Sequence, residues 1–408
     1  MYDILGGMRV IEGASFVAGP VCGQHLLELG AEVIRFDAIG GGLDARRWPV
    51  DGAGQSLFWE GLNKGKKSIA IDLSAPAGRE LAVRLITAPG DEAGLFVTNF
   101  PAAGFLSHDR LAVHRPDLIT ARVMGWASGR NAVDYTVNAI TGLPLLTGPA
   151  DLPPDRPVNH VLPAWDLITG AYTAFALLAA ERRRRATGAG GEVRVPLVDI
   201  AATTLGHLGQ IAEVTGGGPA RGRVGNDLFG AFGRDFRTRD GQRIIMVGIT
   251  ARQWAAIVET FAIGPEVAAL ESELGLSFGQ EGARYTHRAR LFDLVQAAVG
   301  RMTRADLAAL LDANGICWET YRTLPEAIGA EPGFIAGNPV FAPQRHPSGQ
   351  EYPTAGAPAS FPALDRAPAA RAPRLGEHTE EVLAEVLHLS ATEIARLHDR
   401  GVVAGPQG

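Results

Sequence analysis

Asp166 lies in the stretch VNHVLPAWDLITGAYTAFALLAAERRRR and is the only acidic residue between Asp155 and Glu181. It precedes an apolar run that ends in four arginines. Two roles suit a carboxylate at the start of such a run. As an N-cap it would accept hydrogen bonds from free amides of the first helical turn, worth about 0.5–2 kcal/mol. As a nucleophile it would attack an acyl carbon, and the helix N-terminus would keep it ionised and help to hold an incoming anion. Pro163 and Trp165 supply an apolar wall beside it. Desolvation by that wall strengthens the nucleophile but also raises its pKa, so the two effects oppose each other. Residue pattern leaves both roles open.

The cations that could meet an anion fall after two strand-like runs. In IGGGLDARRW, Arg46 and Arg47 follow three glycines. A glycine turn after a strand lets the backbone approach a phosphate, although this one is neither GxGxxG nor a P-loop. A solvated turn is the plainer alternative. In NKGKKS, Lys64, Lys66 and Lys67 form either a solvated basic loop or a phosphate clamp. The ten histidines are scattered, with no HExxH, and there is no GxSxG. His160, six residues before Asp166, either shares its pocket or is an ordinary loop residue. The two cysteines, Cys22 and Cys317, are far apart in sequence, and no metal site is expected.

These residues need elements to position them. A chain of 408 residues exceeds what one core usually supports, so two lobes are expected. Hydrophobic residues at 46% and charged residues at 20% fit a soluble globular protein. A net charge of -6 gives no electrostatic footprint for nucleic acid or an anionic membrane. With no signal-like N-terminus, no membrane-length apolar run and two distant cysteines, the expected compartment is the cytoplasm. MRVIEG, AEVIRFD, KSIAIDL, AGLFVTNF and DLITARVMG read as strands alternating with helical patterns, which predicts an α/β lobe with a parallel sheet. Ser74 ahead of Pro76 marks a helix start. GAYTAFALLAAERRRRATG is a helix ended by cations and Gly188. The boundaries predicted are 1–215 for the first part of the large lobe, 222–325 for a small lobe, and 330–408 for a wrapping linker and the C-terminal part of the large lobe. Within the last of these, 338–373 is rich in proline and read as irregular. Two short helices follow, the second opened by a Ser390/Glu393 capping box.

FVAGPVCGQHLLELGAEVIRFD, LNKGKKSIAIDL, TNFPA, AWDLITG and PRLGEHTEEVLAEVLHLS occur in an order that resembles the class III CoA-transferases, over nearly the whole chain. The resemblance implies a large Rossmann-like lobe built from the N- and C-terminal segments, a smaller middle lobe, and a homodimer of two interlocked rings. It implies an acyl-CoA substrate, no cofactor beyond the CoA itself, and no metal. It makes Asp166 the catalytic carboxylate, since AWDLITG matches the family's D-x-x-x-G. Asn99 and Phe100 match its NF contact to CoA, Lys66 its N-x-x-K-x-S lysine, and Ala18 its N-terminal CoA-binding segment.

Pro101 stands where many relatives have an arginine, leaving Arg46, Arg47 or Arg130 to clamp phosphates. Trp126, Tyr135, His160 and Trp165 are expected to line the pocket. Val133 stands where the racemases of the family have a histidine, which argues against a second base for two-sided proton exchange. Within the family, GGGLDARRWP, VNHVLPAWD and GNDLFGAFGRDF are most similar to members that move CoA between the two carboxyl groups of one small unsaturated dicarboxylic acid. The alternatives are transfer to a separate acid, α-methylacyl-CoA racemisation, or CoA binding without catalysis.

Overall fold

A computed structural model describes residues 1–406 and divides the chain into two compact units. Among the described residues the first comprises 1–141, 160–218 and 335–406, and the second 142–159 and 219–334. Residues 142–159, expected in the large lobe, therefore fold with the second unit.

The first unit alternates as its hydrophobic pattern predicts. Its first stretch runs β1 (Arg9–Gly13), α1 (Ala18–Glu28), β2 (Glu32–Asp37), α2 (Leu57–Asn63), β3 (Lys67–Ile71), α3 (Pro76–Ile86), β4 (Leu95–Thr98), α4 (His108–His114), β5 (Ile119–Met124) and α5 (Asp134–Ile140). After α6 (Leu143–Leu146), which belongs to the second unit, it resumes with α7 (Ala164–Thr187), β6 (Gly191–Pro196), α8 (Leu197–His207) and α9 (Gln210–Thr215). Ser74 does not start α3. It turns back onto the Asp72 carboxylate, and Ala75 holds the cap position before Pro76.

The strand order is β12-β3-β2-β1-β4-β5-β6, parallel throughout except where the short β12 (Val403–Ala404) runs antiparallel to β3. Omitting β12, this is the doubly wound dinucleotide-fold order, which reverses direction between β1 and β4. Both faces of the sheet are covered, so its strands hold continuous apolar runs such as IAI and LFV. One face packs Ile34, Phe36, Ile69 and Phe96 with α3 and the C-terminal helices; the other packs Val10, Val33 and Val97 with α1 and α7.

The proline-rich segment is more regular than its sequence suggests. It contains a hairpin, β10 (Phe341–Arg345) with β11 (Glu351–Ala355), in which Pro343 pairs with Pro353. A two-stranded ribbon has only edges, so residues that donate no amide hydrogen bond are tolerated there. The turn is tied to α2: Ser348 N donates to Glu60 Oε1 (2.8 Å) and Tyr352 Oη to Glu60 Oε2 (3.0 Å). Beyond it, α16 (Thr379–Glu385) and α17 (Ala391–Asp399) follow, and Ser390 and Glu393 form the expected capping box.

In the second unit, an antiparallel sheet of β7 (Phe232–Arg237), β8 (Arg243–Gly248) and β9 (Cys317–Thr320) is accompanied by five helices. These are α10 (Ala251–Thr260), α11 (Gly264–Leu274), α12 (Glu281–Thr286), α13 (Arg288–Val299) and α14 (Arg304–Ala313). The short α15 (Leu324–Ala330) closes the unit. Phe232, Phe236, Trp254 and Phe292 centre its own core. No helix among the described residues is long and apolar enough to cross a membrane.

Candidate active site

A cleft of about 610 Å³ opens within the first unit at the carboxyl ends of β1, β4 and β5. Open α/β sheets bind ligands where strand order reverses, and that is where this cleft lies. Asn99, just after β4, ties the two diverging strands together: its Nδ2 donates to Ser15 O (2.8 Å) and its Oδ1 accepts from Ser15 N (3.1 Å). The next residue, Phe16, has φ of 69°. That conformation is uncommon for an aromatic residue, and it occurs at the cleft lining. Its amide donates to Asp44 Oδ2 at 2.9 Å.

Asp44 belongs to the GGGLDARRW loop, and a buried ionic network fixes it. Arg35 on β2 donates to Asp37 (2.8 Å, twice), to both Asp44 oxygens (3.1 Å) and to Asn63 (3.1 Å). Lys66 Nζ donates to Glu12 Oε2 (2.8 Å), Glu12 Oε1 (3.0 Å), Pro20 O (2.9 Å) and Asn63 Oδ1 (3.1 Å). Gly23 makes room for this pair, because a Cβ there would lie 2.0 Å from Glu12 Oε2. Burial pushes the Lys66 ammonium down to about 8 against the pull of Glu12. Lys66 is therefore not a cation facing phosphates as the motif implied. A phosphate clamp needs a reachable point charge, and this ammonium is buried and fully partnered.

The network delivers Arg47 to the cleft. Its guanidinium carbon lies 5.6 Å from the Phe16 ring centre and 5.3 Å from that of Phe58. Two aromatic faces thus hold the cation without neutralising it.

Asp166 enters from the opposite side. It is the third residue of α7, and Gly170 brings this turn against α1, where a Cβ would lie 2.7 Å from Ala18 O and from Val21 Cγ1. That contact gives the D-x-x-x-G spacing its physical reason. Asp166 does not cap the helix. Pro163 occupies the cap position without a side-chain hydrogen bond, and the Asp166 amide donates to Asp134 Oδ2 at 3.0 Å. The Asp166 carboxyl is pushed up to about 7, first by burial and then by the negative charge of Asp134, while Arg47 pulls it down. A half-buried carboxylate that ionises near neutrality, beside a guanidinium with no ion-pair partner among the described residues, can act as a nucleophile toward an acyl group that carries a second negative charge.

Ala18, Arg47, Asn99 and Asp166 thus meet at one cleft, together with Tyr135 and Val133. Other expected residues lie elsewhere. Phe100 packs into the core beside Phe36, and its carbonyl accepts from Arg122 Nη1 (2.7 Å). Arg130 stacks on Trp126, 3.7 Å from the ring centre, and neither lines the cleft. Arg46 borders a separate pocket of about 220 Å³ with Trp59 and Arg374. Trp165 is buried and His160 lies outside the cleft lining. Asn138 Oδ1 accepts from Trp165 Nε1 (3.3 Å) and is 3.1 Å from His160 Nε2, so both residues brace the approach to α7 against α5. Sequence reasoning passed over Asp134 and Phe16. An aspartate at the first position of α5 is a visible signal, whereas nothing in the sequence marks the unusual backbone of Phe16.

Comparison with known proteins places the chain in a family. The family model "CoA-transferase family III" matches residues 5–379. A 2-methylfumaryl-CoA isomerase of Chloroflexus aurantiacus is 50% identical over 407 residues, covering 100% of this chain and 99% of that protein. A succinyl-CoA–D-citramalate CoA-transferase of the same organism is 27% identical, covering 98% of each chain. The crystal structure of a CaiB/BaiF family protein from Brucella suis superposes with a TM-score of 0.76 at 27% identity, covering 95% of this chain and 100% of that one.

Proposed function

Because the chain belongs to CoA-transferase family III, we propose that it moves CoA between the two carboxyl groups of one small unsaturated dicarboxylic acid, converting 2-methylfumaryl-CoA to 3-methylfumaryl-CoA. The 50% identity to an isomerase of that name along the whole chain carries the choice of substrate. The placement of Asp166 in the cleft beside Arg47 carries the choice of chemistry.

In this reading an Asp166 carboxylate oxygen attacks the thioester carbonyl. The C–S bond breaks, and the electron pair leaves with the CoA sulfur, giving a mixed anhydride. The CoA thiolate then attacks the Asp166 carbonyl, the anhydride C–O bond breaks, and the dicarboxylate is released with an aspartyl-CoA thioester left behind. The other carboxylate of the same acid attacks that thioester, and the two steps run backwards to give the isomeric acyl-CoA and a free Asp166. One difficult exchange becomes several easier ones. Arg47 holds the carboxylate that is not reacting, because a guanidinium forks onto a carboxylate with two parallel hydrogen bonds. CoA is the only cofactor in this scheme.

The enzyme works as a homodimer of interlocked rings in the same reading. Ile168, Tyr172 and Phe175 of α7 are 41%, 51% and 65% exposed. Their spacing forms an apolar stripe along one helix face, which a second copy would cover. A monomer in sedimentation at micromolar concentration would count against this.

Incubation with 2-methylfumaryl-CoA and ¹³C-labelled free acid tests the function. Isomerised product without label is expected. Label in the product at the rate of turnover would establish transfer between separate molecules; racemase chemistry would show instead as deuterium uptake at the α-carbon of a saturated 2-methylacyl-CoA, since 2-methylfumaryl-CoA has no α-hydrogen.

A further inference from the structure

We infer that Asp134 is a positioning residue for the Asp166 carboxylate, holding the first turn of α7 in place and making the acylated form of Asp166 more favourable than the free carboxylate. This rests on the reading of Asp166 as the nucleophile.

Three observations carry it. Asp134 lines the cleft yet is only 2% exposed. Its Oδ2 accepts the Asp166 amide, one of the first-turn donors that Pro163 at the cap position cannot satisfy with a side chain. Its Oδ1 is buried without a hydrogen-bond partner among the described residues. A buried carboxylate with an unused oxygen is costly and needs a reason. Asp37 and Asp44, equally buried, share the Arg35 guanidinium, whereas no salt bridge to Asp134 occurs among the described residues.

The charged groups facing Asp166 are few. Asp134 approaches from α5 and Arg47 from the loop before α2, with Tyr135 on the same cleft wall. α1 meets this turn with Ala18 and Val21, and α8 contributes Leu197 to the cleft, all uncharged. Two carboxylates side by side repel. When Asp166 attacks the thioester, its negative charge departs on the CoA sulfur; when the sulfur returns to the aspartyl carbonyl, the charge departs on the released acid. Both covalent states leave Asp166 neutral, so Asp134 repels only the free enzyme and favours acylation. Burial and this like charge both raise the Asp166 carboxyl, in keeping with that role. Arg47 opposes it by stabilising the free carboxylate.

Asp134→Asn keeps an oxygen for the Asp166 amide and removes the charge; Asp134→Ser is a smaller neutral alternative. The acid limb of kcat/KM should move to lower pH by about one unit. The fraction of enzyme found as aspartyl-CoA thioester by intact mass, at saturating acyl-CoA and pH 8, should fall about tenfold relative to wild type. Peptide mapping should still place the CoA on Asp166. A folded variant with neither the limb nor the thioester fraction changed overturns the inference and leaves the nucleophile reading intact. CoA on another residue in the wild type overturns both. If neither variant folds, ¹³C-aspartate titration of the wild type decides: coupled steps at the two carboxyls support the inference, and independent titration overturns it.

Discussion

Two groups of acidic and basic side chains lie at one end of the same sheet, and they differ in how completely their charges are paired. In the first, Glu12, Asp37 and Asp44 meet Lys66 and Arg35, and each cation has several acceptors within 3.1 Å. In the second, Asp134 and Asp166 share a cleft with Arg47, which rests on two aromatic rings. The complete set can fix a loop but has nothing left over for a ligand. The incomplete set keeps a carboxylate that ionises near neutrality and a cation that has no carboxylate partner among the described residues. Buried pairing makes scaffolding, and under-pairing at the cleft suits the reaction proposed for it.

The sharpest way to break this contrast is Asp166→Asn. Turnover should drop by at least about 10³-fold, while the variant still folds, because the backbone amide that bonds Asp134 is untouched. An amide cannot form the anhydride. Measurable isomerisation above one per cent of wild type would remove Asp166 from the reaction.

Lys66→Ala tests the other group. Removing Lys66 leaves buried Glu12 with only its longer contact to Arg35 (3.5 Å), so stability should fall by about 3–5 kcal/mol. Denaturant unfolding measures it. CoA affinity of the folded fraction should stay within about twofold at both low and high salt, since the ammonium reaches no solvent. A salt-dependent loss of affinity would return Lys66 to the phosphates. Glu12→Leu combined with Lys66→Met should recover much of the stability, because packed apolar side chains replace buried ion pairs well.

The sheet was legible because strands buried on both faces read as apolar runs between helical patterns. Asp166 stood out through its isolation and its motif. What could not be read were the partners of charged residues. Lys66 and Lys67 are adjacent in one basic loop, yet Lys67 pairs with Glu32 and Glu381 nearer the surface while Lys66 turns inward onto Glu12, 54 positions earlier. Arg46 and Arg47 are adjacent, and only Arg47 finds the aromatic pair that turns it to the cleft. The D-x-x-x-G pattern was visible, but its reason, a contact between α7 and α1, is a tertiary fact. The hairpin at 341–355 was hidden by its prolines, which mark irregular chain in most contexts and are tolerated only because both strands are edges.

Arg47→Gln should have an intermediate effect. In the proposed role Arg47 is a charged hydrogen-bond partner of the substrate, and its loss should lower kcat/KM by roughly 10–100-fold. The acid limb should also move to higher pH, because Arg47 now pulls the Asp166 carboxyl down. Arg46→Gln, which alters the separate pocket, should leave that limb where it is. An unmoved limb in Arg47→Gln, or a shift of equal size in Arg46→Gln, would erase the distinction between neighbouring arginines.

The smallest effect is on stability, and its sign is opposite to that of a salt-bridged carboxylate. The Asp166 carboxyl is raised to about 7 in the folded chain from its ordinary 3.8. Between those two values the folded state binds the proton and the unfolded state does not. Stability from this group is therefore full below the unfolded value and is lost as pH rises through about 7. Catalysis runs the other way, since only the ionised form attacks, and kcat/KM should climb through an apparent pKa of about 7. Asp166→Asn has no such titration. Relative to that variant, the wild type should lose on the order of 1–2 kcal/mol between pH 5 and pH 8, after allowance for partial solvent screening. Melting temperatures of the two proteins measured at both pH values test this. Parallel behaviour across that window would mean that Asp166 ionises at an ordinary carboxylate pH, and the cleft would then lack the tension that separates it from the buried network.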